Sequence, residues 1–125
     1  MRLSRFVLAL AGVILFAPEA SAACAAREFV IREWEWSRDS GWFTINGVLV
    51  NNCAEAAGPH IQIVFRDEAG QMVSTEDSWP AASRNLAPGE VYRFKLRTRG
   101  YATATNVAGR VTDLRVWPAL RLPAR

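Results

Sequence analysis

Two cysteines stand at equal distances from one turn signal, and this symmetry limits the possible folds more than any other feature. Cys24 and Cys53 flank the tetrapeptide Arg38-Asp39-Ser40-Gly41, which lies midway between them. Asp, Ser and Gly are turn formers, the first two through side-chain bonds to nearby backbone and Gly through its tolerance of positive φ. A hairpin closed by this turn brings both cysteines to its open end. A disulfide there closes a loop of about 30 residues and stabilises by roughly 3.5 kcal/mol in the chain-entropy model.

Such a bridge needs an oxidising compartment. The N-terminus points to one. Arg2 and Arg5 precede an uninterrupted apolar run from Phe6 to Ala17, and Ala20-Ser21-Ala22 supplies small residues for signal-peptidase cleavage. The run is too short for a membrane span. Residues 1–22 are therefore expected to be a cleaved signal peptide. Residues 23–125 are expected to be one mature domain, periplasmic or secreted, with no transmembrane segment. A lipoprotein acylated at Cys24 is the rival reading, but Ser21 stands where a lipobox usually carries Leu. A free, reactive thiol is a third reading.

The chain carries 15 basic and 12 acidic residues. That excess is too small to argue for nucleic acid. Lys95 is the only lysine, and the bias toward Arg and Ala is that of a GC-rich bacterial genome.

The mature chain reads as short strands between turns. Phe29 to Ser37 and Trp42 to Val50 are rich in β-branched and aromatic residues. His60 to Arg66 alternates, with Ile61, Ile63 and Phe65 on one face. Asp67-Glu68-Ala69-Gly70 is a hairpin turn, and Gln71 to Thr75 returns as a strand. Glu76 to Asn85, with Trp79-Pro80, reads as a polar loop with room for a short strand at its end. Leu86-Ala87-Pro88-Gly89 has type II turn composition. Val91 to Thr98 alternates again, with Tyr92, Phe94 and Leu96 opposite Arg93, Lys95, Arg97 and Arg99. Val107 to Trp117 reads as the last strand. No segment has helical apolar spacing. About seven strands make an antiparallel β-sandwich the natural solution, all-β in class. Its expected core includes Ile45, Leu49, Ile61, Ile63, Phe65, Tyr92, Phe94, Leu96 and part of the tryptophan set.

Three stretches carry a resemblance: Gly47-Val48-Leu49-Val50-Asn51-Asn52, Ile61 to Gly70, and Leu86-Ala87-Pro88-Gly89-Glu90 with Phe94. Residues 45–96 resemble FxLYD-type bacterial domains, which are small immunoglobulin-like or fibronectin type III-like β-sandwiches. Where that name has Phe-x-Leu-Tyr-Asp, this chain has Ile63-Val64-Phe65-Arg66-Asp67, identical only at Asp. The resemblance implies an extracytoplasmic interaction module without catalytic residues.

Candidate chemistry is sparse. His60 is the only histidine, and no G-x-S-x-G or similar nucleophile motif accompanies it. Two bridged cysteines and one His fall short of a zinc set. Asp67-Glu68 reads as a turn before it reads as a calcium site. Glu33 with Glu35, and Glu76 with Asp77, are carboxylate pairs with no sign of the cleft a glycosidase requires. No catalytic residue, metal or cofactor is expected.

Two patterns remain. Five tryptophans are many for a small domain. Strict alternation puts Trp34 and Trp36 on one face with Val30, and Trp42 follows the turn. The plain reading is core. The functional one is an exposed platform of Trp34, Trp36, Trp42 or Trp79 for a glycan or protein, with Trp79 the most exposed. Arg93, Lys95, Arg97 and Arg99 form a cationic row at about 7 Å spacing. It reads first as a solvated face, ion-paired with Glu33 and Glu35, and second as an anion-binding surface. These readings lead to an exported, noncatalytic module that binds a protein of the bacterial cell envelope. The alternative is a glycan or anionic-polymer binder.

Overall fold

The computed structural model describes residues 24–119. The signal-peptide reading of residues 1–22 lies outside them. A 3-10 turn at Ala26–Glu28 leads into six strands: β1 (Phe29–Asp39), β2 (Trp42–Asn51), β3 (Gly58–Arg66), β4 (Met72–Ser78), β5 (Val91–Thr98) and β6 (Asn106–Arg115). They form two antiparallel three-stranded sheets, in orders β1-β2-β5 and β4-β3-β6. The expected β-sandwich is present, with six strands among the described residues where about seven were anticipated. No helix among these residues is long and apolar enough to cross a membrane.

The first hairpin turns where Asp39-Ser40-Gly41 suggested. Asp39 pairs with Trp42, and Ser40 and Gly41 both have positive φ, at 50° and 79°. Two consecutive positive values make the tight turn whose twist matches that of its strands. At the hairpin's open end Cys24 and Cys53 are bridged, with Cα atoms 5.8 Å apart.

The second hairpin turns at Asp67. Its carboxylate accepts the backbone N–H groups of Ala69 at 3.0 Å and Gln71 at 2.9 Å. At the third turn, Glu90 N–H donates to the Ala87 carbonyl at 2.9 Å, and Gly89 takes φ 77°. That is the type II geometry Pro88-Gly89 encodes.

The interior is drawn from both sheets. Phe43, Ile45 and Leu49 of β2 meet Ile61, Ile63 and Phe65 of β3, with Phe94 and Val107 alongside. Tyr92 and Leu96 are partly buried against this cluster, as expected. Phe43 and Phe65 meet edge to face, with centroids 5.2 Å apart. Asn51 is wholly buried among them. Its amide donates to the carbonyls of Glu55 at 2.9 Å and Leu86 at 2.8 Å, and its oxygen accepts Cys53 N–H at 2.7 Å. A buried amide with these three partners ties the β2–β3 loop to the loop before β5.

Three sequence readings are corrected. β4 runs on through Glu76, Asp77 and Ser78, where a polar loop was expected, because Ile63, Gln62 and Ile61 of β3 offer backbone partners to those residues. β6 ends at Arg115, short of Trp117. The alternation of β1 breaks at a bulge between Arg32 and Glu35, where Glu33 takes φ 51°. One extra residue reverses the faces beyond it. Ile31 pairs with Leu49 and Trp36 with Ile45, so Trp34 and Trp36 join Phe29 and Ile31 on the inner face, not Val30.

Candidate functional site

The outer face of the β1-β2-β5 sheet holds the strongest concentration of unburied chemistry. Its position follows from register. Leu96, Phe94 and Tyr92 of β5 pair with Ile45, Gly47 and Leu49 and point inward. The residues between them must then point out. Arg93, Lys95 and Arg97 therefore stand opposite Val48, Asn46 and Thr44, with Arg99 just past the strand end. The expected cationic row exists.

Trp42 is the one candidate tryptophan on this face. It opens β2 directly after the hairpin turn, half-buried. The Arg97 guanidinium carbon lies 4.5 Å from its ring centroid and that of Arg99 lies 4.2 Å from it. A cation over an indole face is attracted by the ring quadrupole, by about 0.5–1 kcal/mol at an exposed site. Among the described residues, the two arginines are therefore held by an aromatic surface and not by a carboxylate. Their N–H groups remain available to another acceptor, because the ring engages the face of a guanidinium and not its edge.

The far end of the row differs. Arg93 donates to Glu33 at 3.1 Å, both largely exposed. The bulge brings the Glu33 carboxylate within reach of β5, across β2. Beside it an open depression of about 560 Å³ is lined by Trp34, Glu35, Asn46, Gly47 and Phe94 among others. Among the described residues the face is therefore graded, with an ion pair at Arg93 and no salt bridge to Lys95, Arg97 or Arg99.

The other candidates lie elsewhere. Trp34 is half-buried inside the sandwich, where its Nε1 donates to the Val107 carbonyl at 2.8 Å. Trp36 packs on Phe43 at 6.0 Å. Neither is an exposed platform, and the bulge is the reason. Trp79 is half-buried too, against the expectation that it would be the most exposed. Its ring meets that of His60 at a tilt of 55°, centroids 4.7 Å apart, and Trp117 edge to face at 5.6 Å. Asn85 fastens the backbone of Trp117 by accepting its main-chain N–H and donating to its main-chain carbonyl, both at 2.8 Å. His60 shares a hydrogen bond of 2.8 Å with the Thr112 hydroxyl and lies 3.7 Å from Asp77. Sequence reasoning missed this cluster, because His60, Trp79 and Trp117 are far apart along the chain and lie on different segments that only the fold brings together. Among the described residues, no group of three or more His, Cys, Asp and Glu is placed to hold a metal ion.

No protein-family model and no curated protein matches the chain. Two solved structures are similar at low identity. One is β-glucosidase 3B from Thermotoga neapolitana in complex with α-D-glucose, at 12% identity and a TM-score of 0.43. The match covers 70% of this chain and 16% of that one, so the chain spans about a sixth of the glucosidase. The other is a Northeast Structural Genomics Consortium target, SoR45, at 11% identity and a TM-score of 0.40. That match covers 80% of this chain and 96% of the target.

Proposed function

We propose that this protein is an exported, noncatalytic binding module, periplasmic or secreted, whose contact surface is the outer face of the β1-β2-β5 sheet. Its partner is a protein of the bacterial cell envelope that presents an acidic patch. The observation that carries this reading is the placement of Arg97 and Arg99 against Trp42. Lys95 stands beside them on the same face. Arginine and tryptophan are the residue types that most often anchor protein interfaces. An arginine already held by an aromatic ring loses less side-chain freedom when it binds a carboxylate. The disulfide supports the exported setting, since such bridges persist in oxidising compartments.

A second reading takes the same face as a site for an anionic polymer. The regular spacing of Arg93, Lys95 and Arg97 favours it, since alternate residues on a strand repeat at about 7 Å and suit a repeating charge.

Capture of envelope components by immobilised protein separates these readings from a merely solvated face. A captured acidic protein, lost on Arg93→Glu with Arg97→Glu and in high salt, supports the first. Loss of capture after protease treatment of the extract excludes the polymer, and persistence after it excludes the protein. Capture indifferent to both substitutions removes the face from the account.

A further inference from the structure

We infer that the outer edge of β5 takes up an extended acidic segment of the partner as an added strand, antiparallel to β5, with a carboxylate at every second residue. The inference rests on the reading of the β1-β2-β5 outer face as the contact surface, and it gives the form of partner that this face accepts. β5 ends the β1-β2-β5 sheet, on the side of the sandwich away from the contact between β1 and β6. An open edge is a template for strand addition.

Two bonds fix which backbone groups of β5 face that edge. Asn52 N–H donates to the Glu28 carbonyl at 2.9 Å, and Asn51 N–H to the Glu90 carbonyl at 3.1 Å. Asn52 is thus turned toward β1 and Asn51 toward β5. In an antiparallel ladder the N–H and C=O of one residue point to the same side, and the side alternates along the strand. Leu49, Gly47, Ile45 and Phe43 therefore bond toward β5, and their partners Tyr92, Phe94, Leu96 and Thr98 bond back. Arg93, Lys95 and Arg97 are left with both backbone groups turned outward. Among the described residues no strand or turn bonds to those groups. The edge is bounded at both ends. Arg84 of the preceding loop lies over Tyr92, 5.6 Å from its ring centroid, and the Thr98 hydroxyl donates to Glu76 of β4. The open stretch runs from Arg93 to Arg97.

Arg93, Lys95 and Arg97 thus each offer a main-chain donor, a main-chain acceptor and an exposed cationic side chain. A residue directly opposite across an antiparallel pair points its side chain to the same face, and opposite charges there attract. A strand with Asp or Glu at alternate positions sets one carboxylate opposite each cation, at the shared repeat of about 7 Å. Its intervening residues pass to the inner side, beside buried Phe94 and partly buried Leu96, which suits apolar side chains. Charged side chains along an edge discourage other strands from pairing there. Cations do so most against basic strands and least against an acidic one, so the row selects its occupant. Lys95 is the centre of the site, since no carboxylate among the described residues forms a salt bridge with it. Arg93 must exchange Glu33 for the incoming carboxylate, which makes Glu33 a competitor.

Titration of the disulfide-intact chain with a synthetic peptide in which glutamate alternates with valine, up to about 1 mM, tests this, since one added strand makes a small interface. Binding should slow amide exchange at Arg93, Lys95 and Arg97. In the antiparallel pair the glutamate N–H groups face β5 and the valine N–H groups face away. A peptide N-methylated at its glutamates should bind roughly tenfold more weakly or not at all, and one N-methylated at its valines should bind as before. Lys95→Glu should weaken binding roughly tenfold, and Glu33→Gln, which releases Arg93, should strengthen it roughly twofold. Misfolding does not give that gain. Binding that survives methylation of the glutamates overturns the added strand and leaves the charged face as a docking surface. Absence of binding also overturns it, and the capture of envelope components then decides separately whether the face has a partner.

Discussion

The Trp34 indole occupies the space that a side chain at residue 109 would need. A Cβ on Gly109 would stand 2.5 Å from Cζ3 of that ring. The bulge at Glu33 turns Trp34 inward, the missing side chain at 109 admits it, and the indole N–H then reaches the Val107 carbonyl. A side chain from β1 thus lies across β6 and helps to join the two sheets on that side.

Gly109→Ala therefore forces the indole out of place. Over-filling a packed site costs typically 1–3 kcal/mol, and displacement of the ring also breaks its hydrogen bond to Val107. We expect a loss at the upper end of that range, about 3 kcal/mol, read by urea denaturation. Trp34→Phe in the same background should recover part of it by shrinking the ring.

Asn51→Ala removes all three bonds that the buried amide makes. Each group left without a partner in the interior costs about 1–3 kcal/mol. The expected destabilisation is about 3 kcal/mol or more, again by urea denaturation. Asn51→Asp should not rescue it, because a carboxylate cannot donate to the Glu55 and Leu86 carbonyls.

Reducing the Cys24–Cys53 bridge, or replacing both cysteines with Ser, should cost roughly 3.5 kcal/mol for a loop of this length. Thermal unfolding with and without reductant measures it. The double Ser variant should behave as the reduced protein does, and should itself be insensitive to reductant.

Arg97→Gln and Arg99→Gln should each change stability by less than about 1 kcal/mol, since exposed cation–π contacts contribute no more than that. The same substitutions should alter Trp42 emission, because a charge near the ring is removed. A large stability loss would mean that these arginines serve the fold and not a partner.

Much of this architecture was legible in the residues themselves. His60 to Arg66 and Val91 to Thr98 announce their faces by alternation, and Pro88-Gly89 announces its turn by backbone preference. The bulge was not legible, because Glu33 adopts positive φ without being Gly, Asn or Asp, the usual residues for that region. Without it, Trp34 and Trp36 read onto the wrong face. The polar end of β4 was hidden for a different reason: Glu76 to Ser78 lack strand propensity and are extended because β3 pairs with them. Within the site, the cationic row followed from alternation alone. That Arg97 and Arg99 would both rest on Trp42 did not, because it depends on how β5 passes β2.

Partner capture across a salt series, for the wild-type chain and for Arg93→Glu with Arg97→Glu, measures the central claim most directly. The account predicts wild-type capture that falls as salt rises, and none by the variant, whose circular dichroism and unfolding midpoint stay near wild type. Equal capture by both proteins at every salt concentration would contradict it.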